Sequence, residues 1–180
     1  MRVKSIPERI RWAVETLGIR PTDRILEIGC GRGSAVSLIC ERLDGGRVTA
    51  IDRSITAVKQ AEQRNEANVT AGKVVFQAAP LDTANLEGER FDKVFAVNVN
   101  LFWVRSSARE LDIVRRLLKP GGAMYLFYEP PDASRAAAIA DRIAPFLTEH
   151  GFDTSVSMAT SSRSMALVCM KACVRVRSKL

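Results

Sequence analysis

Short apolar runs alternate with amphipathic stretches along most of the chain. The apolar runs are rich in β-branched residues and bounded by turn residues, which is typical of strands. They predict strands at 24–28, 47–51, 73–77, 92–97 and 123–128. The amphipathic stretches repeat their apolar residues every three or four positions, which is the helical period. They predict helices at 7–17, 34–43, 54–65, 105–118 and from 133 onward.

The order of these elements predicts the fold class. Strands that alternate with helices favour a parallel sheet covered by helices on both faces. Near the C-terminus, an alternating pattern at 152–158 and an apolar run at 165–170 flank a Ser-rich turn and predict an antiparallel hairpin. We therefore expect an α/β fold with a doubly wound, Rossmann-like sheet, mostly parallel, with an antiparallel C-terminal hairpin strand. Such sheets bind ligands beyond the carboxyl ends of their strands.

Proline and glycine mark two further features of this pattern. Residues 119–122, Lys-Pro-Gly-Gly, are expected to form a turn that ends one helix and precedes the fifth strand. Pro145 is expected to kink the last helix or end it early.

A length of 180 residues is enough for one compact domain. We expect a single domain over 1–180, with an N-terminal cover helix in 1–20, a cofactor-binding core in 21–130 and a C-terminal helix and hairpin in 131–180. No apolar run approaches the ~20 residues that span a bilayer. The charged N-terminus also lacks the apolar region of a signal peptide. We therefore expect a cytoplasmic protein without a membrane segment.

Four cysteines and a single histidine limit the metal chemistry that is open to this chain. Cys30, Cys40, Cys169 and Cys173 form no C-x-x-C pair, and one histidine does not complete a zinc site with them. We expect buried free thiols and no bound metal.

The net charge is +7, and much of the positive excess lies at the chain ends. Examples are Arg2 and Lys4 at the N-terminal end and Arg177 and Lys179 at the C-terminal end. Basic ends bind phosphates electrostatically, which is compatible with RNA or a phosphorylated substrate. Solvated tails on a soluble protein explain the same charges. No aromatic residues interleave with them, so a surface that stacks bases has no support.

The most informative segment is residues 25–33, ILEIGCGRG. An apolar strand runs directly into Gly29, Gly31 and Gly33, and a helix follows. Glycines permit positive φ and let a ligand lie against bare backbone, while the helix N-terminus offers free N–H groups. Asp52 ends the next predicted strand, where a carboxylate accepts hydrogen bonds from both hydroxyls of a ribose. This arrangement indicates a site for a nucleotide-type cofactor.

Two residues argue against a dinucleotide cofactor at this site. The dinucleotide fingerprint places glycine or alanine where this chain has Ser34. Glu27 precedes the first glycine by two positions, and its carboxylate would repel a pyrophosphate. The same carboxylate suits a cationic ligand end, such as an ammonium or a sulfonium. A nicotinamide-dependent oxidoreductase is therefore disfavoured.

With these features the sequence resembles the class I S-adenosylmethionine-dependent methyltransferases. ILEIGCGRG is similar to their first motif, and Asp52 in AIDRS matches the acid at the end of their second strand. FDKVFAVNVN at 91–100 and LLKPGGAMYLF at 117–127 resemble the motifs of their fourth and fifth strands. The resemblance covers roughly residues 20 to 130 and implies S-adenosylmethionine as cofactor and S-adenosylhomocysteine as product.

The resemblance also implies roles for individual residues. The glycines would form the loop under the methionine and ribose portions, with Glu27 near the methionine end and Asp52 on the ribose hydroxyls. Arg53 would flank the adenine, and backbone groups near Ala79 would recognise it, because no acid follows the third strand until Asp82. Asn98 matches the position that meets the methionine amino group. The implied cofactor-binding residues are Glu27, Gly29, Cys30, Gly31, Gly33, Asp52, Arg53, Ala79 and Asn98.

Each of these residues also has a plain structural interpretation. Gly33 can serve only to pack the helix that follows it. Asp52 can act as an ordinary N-cap before the helix at Ser54. Glu27 can pair with an arginine such as Arg32.

The acceptor side has a weaker sequence signal. Methyl transfer needs alignment more than a fixed catalytic residue. Tyr128, Glu129 and Asn100 are the candidates for orienting or deprotonating an acceptor, because they end the fifth and fourth strands. Phe102 and Trp103 wall an apolar pocket or belong to the core. The proline-containing tetrapeptide of the methyltransferases that act on adenine or glutamine amino groups is absent from the sequence.

Two further aromatic residues have alternative roles. Trp12 either caps the pocket or docks on the sheet. His150 ends a predicted helix, where its charge complements the helix dipole, and we expect it to be structural.

The function that these features predict is in-line methyl transfer from S-adenosylmethionine to an unidentified, small-molecule acceptor. The alternatives are an RNA or nucleic-acid methyltransferase and a noncatalytic S-adenosylmethionine-binding protein. Either a monomer or a homodimer is compatible with the sequence.

Overall fold

A computed structural model describes residues 6–100 and 108–175, which form one seven-stranded sheet with helices on both faces. The strands are β1 (Arg24–Ile28), β2 (Arg47–Asp52), β3 (Val74–Ala78), β4 (Phe91–Val97), β5 (Leu118–Tyr128), β6 (Phe152–Thr160) and β7 (Ala166–Val174). The helices of these described ranges are α1 (Glu8–Thr16), α2 (Ser34–Cys40), α3 (Ile55–Arg64), α4 (Glu66–Thr70), α5 (Ala108–Leu117) and α6 (Ala133–Glu149).

The strand order is β3-β2-β1-β4-β5-β7-β6. The first five strands are mutually parallel, and β7 pairs antiparallel with both β5 and β6. The predicted fold class, including the antiparallel C-terminal hairpin, is confirmed. In the sheet, β2 lies on one side of β1 and β4 lies on the other. The carboxyl ends of β1 and β4 therefore flank the topological switch point, where such sheets bind ligands.

Each face of the sheet has its own hydrophobic core, which explains why the central strands read as nearly continuous apolar runs. In β1, Ile25 belongs to the core beneath α1 and α2, and Leu26 belongs to the core beneath α5 and α6. Side chains alternate along a strand, so Glu27 faces the same side as Ile25. One carboxyl group is thus placed among the apolar side chains of this layer, which also holds the buried Lys93 paired with Asp23.

Two helices begin with the side-chain caps that their sequences favour. Ser54 accepts a hydrogen bond from the backbone N–H of Ala57 at 3.2 Å and begins α3. Asp132 accepts one from the N–H of Arg135 at 2.8 Å and begins α6. The N-cap of α3 is therefore Ser54 itself, not Asp52.

The structure departs from two local expectations. Residues 119–122 do not separate a helix from a later strand, because β5 begins at Leu118, which pairs with Phe91. The Pro-Gly-Gly segment is accommodated instead as an irregularity within the β4–β5 ladder, with φ of +78° at Gly121. Of the two outcomes expected at Pro145, an early helix end is wrong, because α6 continues to Glu149, and a kink stays a prediction. Apolar residues on either side of Pro145, among them Ile143 and Leu147, remain in the core and hold the helix together.

The N-terminal helix docks on the sheet. Ala13 and Val14 of α1 are fully buried, and the Trp12 ring meets Phe127 of β5 edge to face, with 5.5 Å between centroids. Of the two roles predicted for Trp12, docking on the sheet is the one observed.

Three other expectations concern residues that the structure describes, namely the role of His150, the state of the cysteines and membrane-spanning helices. His150 follows α6, and its Nδ1 lies 2.8 Å from the carbonyl oxygen of Phe146, which is a structural contact. Cys30, Cys40 and Cys169 are buried free thiols, and Cys173 is a half-buried one. No helix in the two described ranges combines the length and apolarity of a membrane span.

Some predicted features lie outside the described residues. These are Phe102 and Trp103, the first turn of the helix predicted at 105–118, and the terminal charges Arg2, Lys4, Arg177 and Lys179.

Candidate functional site

A cavity of about 660 Å³ opens at the carboxyl ends of β1, β2 and β4. We call it the glycine-loop cavity. Its lining includes the side chains of Asp52, Arg53, Asn98 and Asn100, together with Gly29 and apolar residues of β1, β2, β4 and the loops after β3 and β4. The volume lies in the range of ordinary small-molecule sites. Its position is the one that the fold class predicts.

The loop between β1 and α2 is fixed to β2 through its backbone. The N–H groups of Gly29 and Cys30 both donate to the carbonyl oxygen of Ile51, at 2.8 and 3.0 Å. Gly29, Gly31 and Gly33 all have positive φ, between +52° and +75°. Side chains rarely adopt this conformation, which explains the three glycines at alternate positions.

The three glycines nevertheless meet different surroundings. A Cβ atom on Gly29 would come within 2.5 Å of Val99, and one on Gly33 within 2.6 Å of the side-chain amide of Asn65. A Cβ atom on Gly31 would meet nothing within 4 Å. Packing therefore demands glycine at Gly29 and Gly33. Gly31 presents bare backbone to open space, which is the surface that a ligand requires.

Asn65 is a positioning residue that the sequence analysis missed. It is 2% exposed, and its amide nitrogen donates to the carbonyl oxygens of Gly33 and Ala61 at 3.1 and 3.0 Å. Its amide oxygen accepts a hydrogen bond from the Ser37 hydroxyl at 2.9 Å. Asn65 thereby ties α3 to the start of α2. In the sequence it looks like an ordinary polar residue at a helix end, so no local signal reveals this role.

Asp52 connects the glycine loop to the start of α3. One carboxylate oxygen accepts a hydrogen bond from the Gly31 N–H at 2.8 Å, and the other accepts one from the Ser54 N–H at 2.9 Å. A carboxylate has about four acceptor positions, so roughly two remain. Asp52 is half-buried and lines the cavity, which leaves those positions able to meet a ligand.

Glu27 carries a buried carboxyl group whose hydrogen-bonding capacity is not fully met. It is 3% exposed, and its Oε2 atom has no hydrogen-bond partner among the described residues. Arg32 is exposed, and the ion pairs found in the described ranges do not include a Glu27–Arg32 pair. Burial, with a further contribution from the negative charge of Asp52, raises the pKa of Glu27 from 4.5 to about 8. A positive charge nearby would stabilise a buried carboxylate that has no hydrogen-bond partner, so this group is suited to bind a cation.

The remaining predicted residues differ in their placement. Arg53 is exposed and Ala79 is half-buried, and both line the glycine-loop cavity. The Gln77 side chain holds the loop that follows Ala79 by exchanging two hydrogen bonds with the backbone of Asn85, at 3.0 and 2.8 Å. The Cys30 thiol lies in the apolar core, and burial raises its pKa, so only the backbone of this residue is available to a ligand.

A second cavity, of about 410 Å³, adjoins the first at Asn98 and Asn100. We call it the β5 cavity. Tyr128 and Glu129 line it at the end of β5, together with Arg135 and apolar residues of the following segment and of α6. All three candidates for orienting an acceptor are thus brought together around this cavity.

Side-chain bridges between the ends of β4 and β5 shape the β5 cavity. Asn98 has φ of +53°, and its amide oxygen accepts a hydrogen bond from the Glu129 N–H at 2.9 Å. The Tyr128 hydroxyl donates to the carbonyl oxygen of Val99 at 3.1 Å. Burial raises the pKa of Tyr128, so the phenol stays protonated. The Glu129 carboxylate pairs with Arg9 of α1 at 3.1 Å.

The predicted cofactor residues therefore fall into two groups. Gly29, Asp52, Arg53, Ala79 and Asn98 line the glycine-loop cavity directly. Glu27, Cys30, Gly31 and Gly33 are not among the residues that line it, and they belong to the strand and loop that support it.

Comparison with known proteins adds three findings. A family model described as "Methyltransferase domain" matches residues 25–122, which is more than half of the chain. An uncharacterized 37.1 kDa protein in transposon TN4556 of Streptomyces fradiae is 29% identical over 164 residues, covering 88% of this chain and 45% of that protein. Trans-aconitate 2-methyltransferase of Rhodopseudomonas palustris is 31% identical over 121 residues, covering 65% of this chain and 44% of that protein.

The fold also matches solved structures. The crystal structure of magnesium protoporphyrin IX methyltransferase from Synechocystis PCC 6803 with bound S-adenosylhomocysteine superposes with a TM-score of 0.70 at 20% sequence identity. The superposition covers 93% of this chain and 82% of that one. The chain spans less than two thirds of the length of the curated relatives it matches, such as the two above at 45% and 44%.

Proposed function

This chain belongs to the class I S-adenosylmethionine-dependent methyltransferase family, and from this membership we propose that it transfers the methyl group of S-adenosylmethionine to a small-molecule acceptor. The cofactor occupies the glycine-loop cavity in this proposal, and the acceptor occupies the β5 cavity. The two cavities meet at Asn98 and Asn100, where the reacting atoms of the two ligands approach each other.

The observation that carries the proposal is the buried carboxyl of Glu27, whose Oε2 atom has no hydrogen-bond partner among the described residues, in the strand that leads into the glycine loop. The family's cofactor has an ammonium and a sulfonium, and a buried carboxylate without a partner suits a positive charge. Gly31 leaves the space above the loop clear of side chains. A nicotinamide dinucleotide instead brings a pyrophosphate, whose negative charge opposes ionisation of Glu27 and offers the buried carboxyl no cation. The residues present therefore fit the cofactor of the family.

Each part of the site has a role in holding that cofactor. Asp52 keeps roughly two acceptor positions for the ribose hydroxyls after bonding Gly31 and Ser54. Backbone groups at Ala79 and the Arg53 side chain flank the adenine. Glu27 offsets the positive charge of the methionine portion, and Asn98 contributes at the boundary between the cavities.

The chemistry requires alignment more than a catalytic group. The bound cofactor supplies a methyl group already activated by its sulfonium. The protein orients the acceptor in line with that methyl group and keeps water out. Asn98 fixes the ends of β4 and β5 relative to each other through its bond to Glu129, and Tyr128 does so through its bond to Val99. These two bridges set the geometry at the point of transfer.

A small molecule is the acceptor class that the β5 cavity favours. Its volume of about 410 Å³ lies within the range of small-ligand sites. Among its described lining residues Arg135 is the only cation, which offers little to a nucleic-acid backbone. Trans-aconitate and magnesium protoporphyrin IX, named in the relatives' descriptions, are small molecules as well.

Calorimetry tests the proposal directly. The purified protein is titrated with S-adenosylmethionine, S-adenosylhomocysteine and NADH in parallel. We expect both adenosyl ligands to bind with micromolar affinity and NADH not to bind. Binding of NADH, or of no ligand, would show that the glycine loop serves another purpose.

A further inference from the structure

The β5 cavity holds few groups that can accept a proton. Among its described lining residues, Glu129 is the only carboxylate, and Arg9 already pairs with it at 3.1 Å. Asn98 and Asn100 carry neutral amides, which do not act as bases. An acceptor that must lose a proton before it attacks therefore finds no free base at this cavity.

The Tyr128 phenol does not supply a free base either. Its hydroxyl donates to the carbonyl oxygen of Val99, and the ring is 7% exposed, so the phenol is held in its protonated form. A phenol that acts as a base must first be ionised, and burial disfavours that form.

The neighbouring segments offer no free substitute, because Asp132, which follows the lining residue Pro131, is engaged as the N-cap of α6 and contacts Arg135. Residues 101–107, which follow Asn100, contain no aspartate, glutamate or histidine. The single histidine of the chain, His150, follows the C-terminal end of α6 and lies against Phe146. The other described lining residues that follow Glu129, from Pro130 to Ile139, include no further titratable group besides Arg135.

The charge of the cavity is compatible with an anion. With Glu129 offset by Arg9, Arg135 is the remaining charged side chain on the described lining. Its only ion pair in the described ranges is a 4.0 Å contact with Asp132, and both side chains are largely exposed. Pro130, Pro131, Ala138 and Ile139 supply an apolar wall beside it. An apolar body with one anionic end matches this combination.

We propose that the acceptor is a small carboxylic acid, that its ionised carboxylate is the nucleophile, and that Arg135 contributes to selecting it. The proposal rests on the proposed function, because it assigns the acceptor of the same site. A carboxylate is deprotonated at neutral pH without help, since the ordinary pKa of such a group is about 4. An alcohol, a phenol or a thiol would need the base that this cavity lacks.

The step balances without a proton transfer. A carboxylate oxygen forms the new O–CH₃ bond with one of its lone pairs. The S–CH₃ bond breaks at the same time, and its electron pair stays on sulfur. The products are a neutral methyl ester and S-adenosylhomocysteine, with a thioether in place of the sulfonium.

The first experiment measures binding, so it does not depend on turnover. The protein is saturated with S-adenosylhomocysteine and titrated with two matched pairs of probes, octanoate with octanol and trans-cinnamate with cinnamyl alcohol. We expect each carboxylate to bind more tightly than its alcohol. Arg135→Gln should weaken carboxylate binding by about twofold to fivefold, the range for an exposed charge pair. The control Arg116→Gln removes the same charge from exposed positions on α5 and should change nothing.

The second experiment identifies the product. The protein is incubated with S-adenosylmethionine carrying a labelled methyl group and with the same probes. A methyl ester releases labelled methanol on mild alkaline treatment, whereas a methyl ether does not. Base-labile label from the carboxylates and none from the alcohols is the expected result.

Two results would overturn the inference while leaving the proposed function intact. One is methylation of an alcohol but of neither carboxylate. The other is failure of both carboxylates to bind the protein loaded with S-adenosylhomocysteine. If S-adenosylhomocysteine itself does not bind, the proposed function fails first.

Discussion

The two cavities meet at Asn98 and Asn100, yet they are built in different ways. In the glycine-loop cavity it is the backbone of the loop that is held, by the bonds from Gly29 and Cys30 to Ile51 and by the Asp52 carboxylate on the Gly31 N–H. The β5 cavity is held by side-chain bridges between distant segments, and the Arg9–Glu129 pair joins residues 120 positions apart. Backbone contacts need only glycines and a strand-to-helix turn, whereas bridges depend on particular side chains.

This difference bears on which of the two ligands each cavity distinguishes. A backbone cradle recognises one cofactor and tolerates many side chains around it. A cavity made of side-chain bridges changes shape when any partner is replaced. Under the proposed function, the β5 side of the molecule specifies the acceptor, and fold similarity to proteins with various acceptors carries no information about it.

Gly31→Val should have the largest effect on the glycine-loop side. The added side chain fills the space that the ligand needs, so affinity for S-adenosylmethionine should fall at least 100-fold, roughly 3 kcal/mol. Calorimetry measures the loss, and circular dichroism checks that the fold survives. Gly72→Val is the matched control, because Gly72 also has positive φ and open space around it. Normal cofactor binding by Gly31→Val would contradict the assignment of the loop.

Glu27→Gln should change both stability and cofactor binding, in ways that depend on pH. With its pKa raised from 4.5 to about 8, Glu27 binds more protons in the folded than in the unfolded chain between those values. The free energy of unfolding therefore falls as pH rises through this window, by up to about 1.4 kcal/mol per pH unit. Glutamine cannot ionise, so the variant should lose this dependence. Denaturant unfolding at several pH values measures it.

The same group links cofactor binding to proton release. A bound ammonium stabilises the Glu27 carboxylate and lowers its pKa, so binding near neutral pH should displace a proton. Affinity for S-adenosylmethionine should then rise from about pH 6 to about pH 7.5, below the range in which an α-amino group loses its own proton. Calorimetry in buffers of different ionisation enthalpy detects the released proton. An identical pH slope in Glu27→Gln would show that Glu27 does not face the cofactor.

The sequence predicted the glycine-loop side well, because its signals are local. The predicted strand 24–28 has the bounds of β1, and the two residues that the motif indicates, Gly31 and Asp52, are joined by a 2.8 Å hydrogen bond. For Gly33 a packing role is one of the two interpretations that the sequence allows, and only the structure identifies the residue it packs against. Its neighbour Asn65 lies 32 positions along the chain, and a single sequence does not reveal such a contact.

The β5 side could be predicted only in part. Strand ends pointed to Tyr128, Glu129 and Asn100, and the structure brings all three to one cavity. Their partners, Arg9 and Val99, depend on how α1 and the β4 end pack against β5, which no local pattern encodes. Those partners change the interpretation, because they turn two candidates for proton transfer into groups that hold the cavity together.

Asp52→Ala should have a smaller effect than the glycine substitution. It removes acceptors for the ribose and also the anchor of the Gly31 N–H, so affinity for S-adenosylmethionine should fall by about 1–3 kcal/mol. Asp82→Ala, which alters an exposed acid in the loop after β3, serves as the control. Calorimetry at fixed pH compares the two variants. Unchanged affinity in Asp52→Ala would remove Asp52 from the site.

Tyr128→Phe should have the smallest effect, and it distinguishes positioning from catalysis on the β5 side. The variant loses one hydrogen bond to Val99, worth about 1 kcal/mol, so the rate of methyl transfer to a carboxylate probe should fall only a few-fold. A general base typically contributes 10²–10⁴-fold, so a loss of that size would make Tyr128 catalytic. The pH–rate profile should keep its shape, because a phenol that stays protonated does not titrate in the working range. Tyr125→Phe, in the same strand but in the core of the opposite face, controls for the loss of a buried hydroxyl.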